Sequence, residues 1–237
     1  MTVQIEDDPR LPPPDHHRDV TGGWLRPAVF GVTDGLVSNA SLVIGVAASG
    51  ASTHAVILAG VSGLAAGAFS MATGEYVSVA SQQELTLAEI EVEKLELARV
   101  PKAEEAELAQ VYVQRGVEPA LAREVAKQLS ANPEEAWRVH VREELGVDPD
   151  DLPSPWTAAG SSFISFTLGA LVPLLPYLLG ASTLAATIVL TVIALFAAGV
   201  GVSRFTSRTW WYSGTRQLLL GGAAAAVTYT IGNAVGA

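Results

Sequence analysis

Formal charge is absent from most of this chain, and that absence constrains its fold. Between residues 27 and 74 the only charged side chain is Asp34, and residues 153–203 and 217–237 carry none. A helix needs ~20 apolar residues to cross a ~30 Å hydrocarbon layer, and these stretches exceed that. A soluble domain carries roughly a quarter charged residues; this chain of 237 residues carries 16%. Five apolar segments follow from the pattern, at 27–49, 55–80, 156–179, 182–203 and 214–235. Each predicts a transmembrane helix, because a helix satisfies its own backbone in lipid. The expected fold class is an all-α membrane protein with five transmembrane helices and a helical insert between the second and third, whose cytoplasmic side and metal-binding role follow from its charges.

Orientation follows from the basic residues. All 14 Lys and Arg fall in the first 26 residues (Arg10, Arg18, Arg26), in residues 81–152, or at the fourth-to-fifth connection (Arg204, Arg208, Arg216). Basic loops stay inside, so the N-terminus and residues 81–152 are expected to be cytoplasmic and the C-terminus outside. The chain then divides into a flexible tail (1–23), helices 1–2 (24–80), an acidic insert (81–152) and helices 3–5 (153–237). The tail contains Pro12-Pro13-Pro14 and has no apolar period, which is unlike a signal peptide. His16-His17 within it reads as a solvated pair, since two side chains are too few to hold a metal.

Composition excludes several activities. With no Cys there are no disulfides, zinc–thiolate sites, iron–sulfur clusters or thiol nucleophiles. A pI near 4.8 provides no basic face for nucleic acid. No Walker A sequence and no G-x-S-x-G elbow is present.

Residues 81–152 hold 17 acidic against 8 basic residues. No Gly or Pro interrupts 76–100, so the second span is expected to run on as one long helix until Pro101 stops it. Lys102 to Arg115 reads as the next helix, ending at Gly116, and Glu118 to Ser130 as another. Asn132-Pro133-Glu134-Glu135 has the pattern of an N-cap, a first-turn proline and early acids, opening a helix that ends at Gly146.

Asp34 lies inside the first span. A carboxylate in hydrocarbon costs several kcal/mol and persists with a partner or a wet path. It marks either a functional site or a packing Asp bonded to Ser38 or Asn39. Glu75 is the only other acid within a span, and Met71 shares its helix face. Hard oxygen beside soft sulfur suits a transition metal such as Fe(II) or Mn(II). At ~1.5 Å per residue, Asp34 lies about 11 Å and Glu75 about 8 Å from the cytoplasmic helix ends. Two antiparallel spans could therefore bring Asp34, Met71 and Glu75 to one level. Gly31/Gly35 and Gly63/Gly67 are small-xxx-small pairs that permit close backbone approach.

In the insert, Glu93 and Glu96 mirror Glu104 and Glu107 about position 100. Folding the two helices together would set Glu96 opposite Glu104 and Glu93 opposite Glu107. Such a cluster repels itself unless cations or protons neutralise it, and helix bundles often use bridging metals. His140 and Glu144 share one face four residues apart and could add a nitrogen and an oxygen. The alternative is a solvated acidic surface, which Glu89, Glu91 and Glu105 fit.

Longer motifs carry a resemblance. Asp34-Gly35-Leu36-Val37-Ser38-Asn39-Ala40-Ser41-Leu42-Val43 resembles the first-helix signature of the vacuolar iron transporter family. Ser70-Met71-Ala72-Thr73-Gly74-Glu75-Tyr76-Val77-Ser78-Val79 resembles the second. Arg142-Glu143-Glu144-Leu145-Gly146 and Ser154-Pro155-Trp156 resemble its prokaryotic members. The likeness covers nearly all of the chain after residue 23. It implies a five-helix subunit in a homodimer, with a path at the two-fold axis. It further implies export of ferrous iron, and often manganese, from the cytoplasm in exchange for protons. Fe(II), Mn(II) or another divalent ion would be substrate, with no permanently bound cofactor. Asp34, Met71 and Glu75 match the positions that bind metal in transit; Glu93, Glu96, Glu104, Glu107 and Glu144 match those that capture it. Some members carry methionines just before the last Glu. Here 137–141 has none, and His140 is the only donor. No ferritin-like extra domain is expected from these residues.

The expected localisation is a prokaryotic plasma membrane, and the expected activity is transport, not enzymatic. A membrane-tethered iron oxidase would need an E-x-x-H pattern, but the residue three before His140 is Trp137. A metal-gated channel or sensor is the third possibility.

Overall fold

A computed structural model describes residues 23–236, except Ser182 and Ser207. The His16-His17 pair, with Arg10, Arg18 and the rest of the expected tail up to residue 22, lies outside the described residues. The described chain forms helices α1 (Leu25–Ala48), α2 (Thr53–Arg99), α3 (Pro101–Gln114), α4 (Pro119–Leu129) and α5 (Pro133–His140), then α6 (Pro155–Leu171), α7 (Leu175–Leu178), α8 (Leu184–Ser203) and α9 (Trp210–Gly236). There is no strand among the described residues. Five helical stretches are long and apolar enough to span a membrane: α1, the first part of α2, Pro155–Leu178, α8 and α9. α1 is the hub, packed on α6, α9, α2 and α8.

α2 runs unbroken for 47 residues, about 70 Å at ~1.5 Å per residue. A span uses less than half of that, so its remainder projects beyond the apolar bundle. The Ser52 hydroxyl caps its start, accepting from Ala55 N at 3.3 Å. It ends at Val100, whose φ of −134° and ψ of 47° leave the helical region. Residues before a proline are pushed out of the α region. Pro101 then opens α3 at the position where its missing N–H costs nothing. Tyr76 on α2 and Trp156 at the start of α6 meet ring to ring at 4.7 Å, the aromatic pairing expected at a membrane–water boundary.

The insert has a small apolar core of its own, Leu108, Ala109 and Ala126, flanked by Tyr112, Leu129 and Val139. Glu118 caps α4 through both carboxylate oxygens, at 3.1 Å from Ala120 N and 3.1 Å from Leu121 N. Asn132 caps α5. α5 then widens into a π-helical turn, Val141–Leu145, and ends at Gly146, whose φ of +68° favours glycine. Arg142 reaches Asp148 at 2.9 Å and Asp150 at 3.3 Å, which ties down the return towards α6.

The third span is less regular than one continuous helix. Pro173 and Pro176 lack N–H donors, and α6 passes through a 3₁₀ turn, Val172–Leu174, into α7. The glycine pairs also work differently from the expected α1–α2 approach. A Cβ on Gly35 would collide with the backbone of Phe166, and one on Gly169 with the backbone of Val32, so the close crossing joins α1 to α6. Gly63 instead faces the Leu42 and Asn39 side chains, and Gly67 faces the Phe166 ring. Leu42 and Asn39 thus stand between the α1 and α2 backbones at Gly63, and the Phe166 ring stands between α6 and α2 at Gly67.

The Gly35 crossing gives a direct expectation. Backbone on the opposite helix cannot give way, and overpacking costs about 1–3 kcal/mol or more. Gly35→Val is expected to lower the yield of monodisperse protein in detergent and its melting temperature, while Gly74→Ala, with open space around it, leaves both unchanged.

Candidate metal centre

α2, α3 and α5 converge near the α2–α3 corner, at the far end of α2, and each brings one buried polar side chain. Glu93 is 7% exposed, Glu104 6% and His140 0%. Glu144, on the π turn, joins them half-buried. Ligand atoms of these four lie within 4.8 Å of one another, close enough to share one cation. π turns frequently mark functional positions; here one follows His140 and carries Glu144. The Glu96 and Glu107 side chains stand at the exposed rim. The inner pair is therefore Glu93 with Glu104, a different grouping from the mirrored one read from sequence. α5 covers the α2–α3 corner and buries one glutamate from each.

The electrostatics are those of uncompensated negative charge. Among the described residues no ion pair joins a Lys or Arg to any of these five glutamates. The neighbouring cations are engaged elsewhere: Arg115 with Glu143, and Lys94 and Arg138 on the Trp137 ring at 4.5 and 4.7 Å. Burial pushes the Glu93 carboxyl up to about 7, reinforced by Glu144, Glu104, Glu96 and Glu107. Burial, then the other carboxylates, also raises Glu104 and Glu144. Burial holds the His140 imidazole below its usual range, against an opposing pull from Glu104 and Glu107.

His140 Nδ1 is hydrogen-bonded to Glu144 Oε1 at 3.1 Å. Glu93 Oε1 lies 3.1 Å from the same nitrogen but in no hydrogen bond, and His140 Nε2 is also buried without a partner. One donor set thus offers three carboxylates and a neutral imidazole, with two polar atoms left unsatisfied. Unsatisfied buried polar atoms are costly, and a divalent ion or a proton relieves that cost. Glu143, adjacent in sequence to Glu144, does not join the group: Tyr112 donates to its Oε1 at 3.1 Å and Arg115 pairs with it.

The spans hold a second arrangement. Asp34 and Met71 line one cavity of about 230 Å³, together with Ser38, Asn39, Ser70 and Phe166. Neither Ser38 nor Asn39 satisfies the Asp34 carboxylate. Ser38 Oγ donates to the Asp34 backbone oxygen at 2.6 Å, and Asn39 Nδ2 donates to Ala170 O at 2.6 Å. Glu75 is not brought to that level. It lines a separate cavity of about 300 Å³ with Arg26, Gln82, Gln83 and Thr86. Glu75 lies one helical turn, about 6 Å, closer to the insert than Met71, and Arg26 at the foot of α1 lines the same cavity. Sequence reasoning missed Phe166 and Ser70 as lining residues. Gly67, which leaves room for a ring, was the available signal for Phe166.

Fold and site together define the class, an all-helical membrane protein of five spans with a carboxylate-rich helical insert. The sequence model of the VIT family matches residues 25–233. Vacuolar iron transporter 1 of Arabidopsis thaliana is 32% identical over 227 residues, covering 93% of this chain and 91% of that protein. Vacuolar iron transporter 1 of Eucalyptus grandis is 31% identical over 227 residues, covering 93% and 91%. The vacuolar iron transporter of Acanthamoeba castellanii is 44% identical over 155 residues, covering 65% of this chain and 56% of that protein. The chain belongs to the VIT family.

Proposed function

We propose that this protein exports ferrous iron, and also manganese, from the cytoplasm in exchange for protons. Its relatives' names supply the ion. The observation that carries the reading is the buried group of Glu93, Glu104, His140 and Glu144, drawn within 4.8 Å with no Lys or Arg to neutralise it. Residues 81–152 act as the capture unit. Their negative field concentrates cations, and the rim glutamates Glu96 and Glu107 receive the ion before the inner set binds it.

α2 connects this unit to Met71 and Glu75 as one rigid helix. An ion leaving the insert passes Glu75, then reaches Asp34 and Met71. A carboxylate holds a metal or a proton but not both at once, so a proton arriving from the far side displaces the ion. The basic residues Arg26, Arg204, Arg208 and Arg216 support a cytoplasmic insert side by the positive-inside tendency. Two copies pair across a two-fold axis to line the path.

The test is transport in sealed vesicles containing an Fe(II)-responsive dye, kept anaerobic, with the insert facing outwards. An acidic lumen should drive Fe(II) inwards above its external concentration. Collapsing the proton gradient should abolish that accumulation. Uptake that only equilibrates, with or without the gradient, would instead identify a channel.

A further inference from the structure

Asn39 is 2% exposed and sits in the wall of the Asp34–Met71 cavity. Its amide is oriented by chemistry. Nδ2 donates to Ala170 O at 2.6 Å, a carbonyl in the last turn of α6, where intrahelical partners run out. A carbonyl only accepts, so the NH₂ must face it and Oδ1 must face away. Oδ1 points to Gly63 on α2, where a Cβ would stand 2.9 Å from it. Among the described residues this oxygen is buried with no hydrogen-bond partner.

We propose that Asn39 Oδ1 is a ligand for the transported ion, the station that follows Asp34 on the way across. Asn39 lies five residues along α1 from Asp34, about 7.5 Å farther from the insert. The cavity covers that interval, bounded on α1 by Asp34 and Leu42 and on α2 by Met71 and Gly63. Amide oxygens ligate divalent cations directly. Unlike a carboxylate, an amide carries no charge and takes up no proton. An ion held there is held weakly and leaves without waiting for protonation. A charged site followed by a neutral one gives strong entry and easy exit. The inference rests on the transport reading above and adds a residue to its path.

Two substitutions separate this role from the hydrogen bond to Ala170. Asn39→Leu keeps the volume and removes the oxygen. Asn39→Asp keeps an oxygen and adds a charge. Initial rates of Fe(II) and Mn(II) uptake into vesicles would be measured for both, beside wild type and Asp34→Ala. Asn39→Leu should raise KM about fivefold or more, the loss of roughly one net ligand interaction. Asn39→Asp should lower KM and also the maximal rate, because the ion is then held too tightly. Opposite movement of KM is the signature, since a purely structural amide would shift both variants the same way. KM values that move together, or stay within about twofold of wild type while Asp34→Ala abolishes uptake, would overturn the Asn39 station alone. If Asp34→Ala transports like wild type, the membrane path itself is wrong. Should Asn39→Leu fail to assemble, Asn39→Asp decides: an unchanged or higher KM refutes the proposal.

Discussion

Asp34→Ala is expected to cut metal flux by about two orders of magnitude while leaving metal binding at the insert intact. Asp34 is the only acid on α1, its carboxylate has no partner among the described residues, and it borders the cavity shared with Met71. Within one subunit no other acid among the described residues lines that cavity, because Glu75 lines a different one. Removing one partner of a buried charge pair costs about 3–5 kcal/mol, and the lower figure already corresponds to roughly a hundredfold. Uptake of Fe(II) into vesicles is therefore expected to fall by about two orders of magnitude. Asp34→Asn tests the proton link separately. It keeps the shape and an oxygen but cannot titrate, so residual flux through it should no longer respond to the pH gradient. Flux that stays both high and gradient-dependent in Asp34→Asn would assign the proton elsewhere, with Glu75 the next carboxylate to substitute.

Much of the fold was legible because lipid leaves few options. A charge-free run of this length has to be a helix, and the five segments fall on the five apolar helices, with ends displaced by a few residues. Helix punctuation in the insert was also local: Pro101, Gly116, Asn132-Pro133 and Gly146 act through their own backbone preferences. Which faces meet is a tertiary matter. Nothing local to Gly35 says that it faces Phe166 of α6 instead of α2, and the Gly63/Gly67 pair looks the same whether it admits a backbone or a ring. The glutamate spacing placed Glu93 and Glu104 in one cluster. It could not say that α5 would bury them and leave Glu96 and Glu107 at the rim. The 3₁₀ turn in the third span had a visible cause in Pro173 and Pro176, yet the hydrogen bond from Asn39 to the Ala170 carbonyl depends on which helices are neighbours.

Metal binding at the insert should steepen below neutral pH and level off above it, and Glu93 sets the position of the bend. Its carboxyl is pushed up to about 7, so at lower pH an incoming ion must displace a proton. One displaced proton makes the apparent affinity rise about tenfold per pH unit below that value and flatten beyond it. Titrating full-length Asp34→Ala protein with Mn(II) between pH 5.5 and 8 measures this without transport. Glu93→Gln should weaken binding and remove the bend, whereas Glu89→Gln, an exposed glutamate outside the group, should change neither. A slope that survives in Glu93→Gln would transfer the proton to Glu104 or Glu144, whose carboxyls are also raised. The same shift governs stability without metal. A carboxyl with a raised folded pKa contributes stability that is present at low pH and lost as pH climbs through about 7. His140, held low, acts in the opposite sense, its contribution disappearing as pH falls through the usual histidine range near 6.5. Between pH 6.5 and 8 the Glu93 effect is therefore unopposed, and the ion-free protein should melt at progressively lower temperature. Saturating Mn(II) should reverse that trend, because the ion neutralises the carboxylates that repel one another once their protons leave.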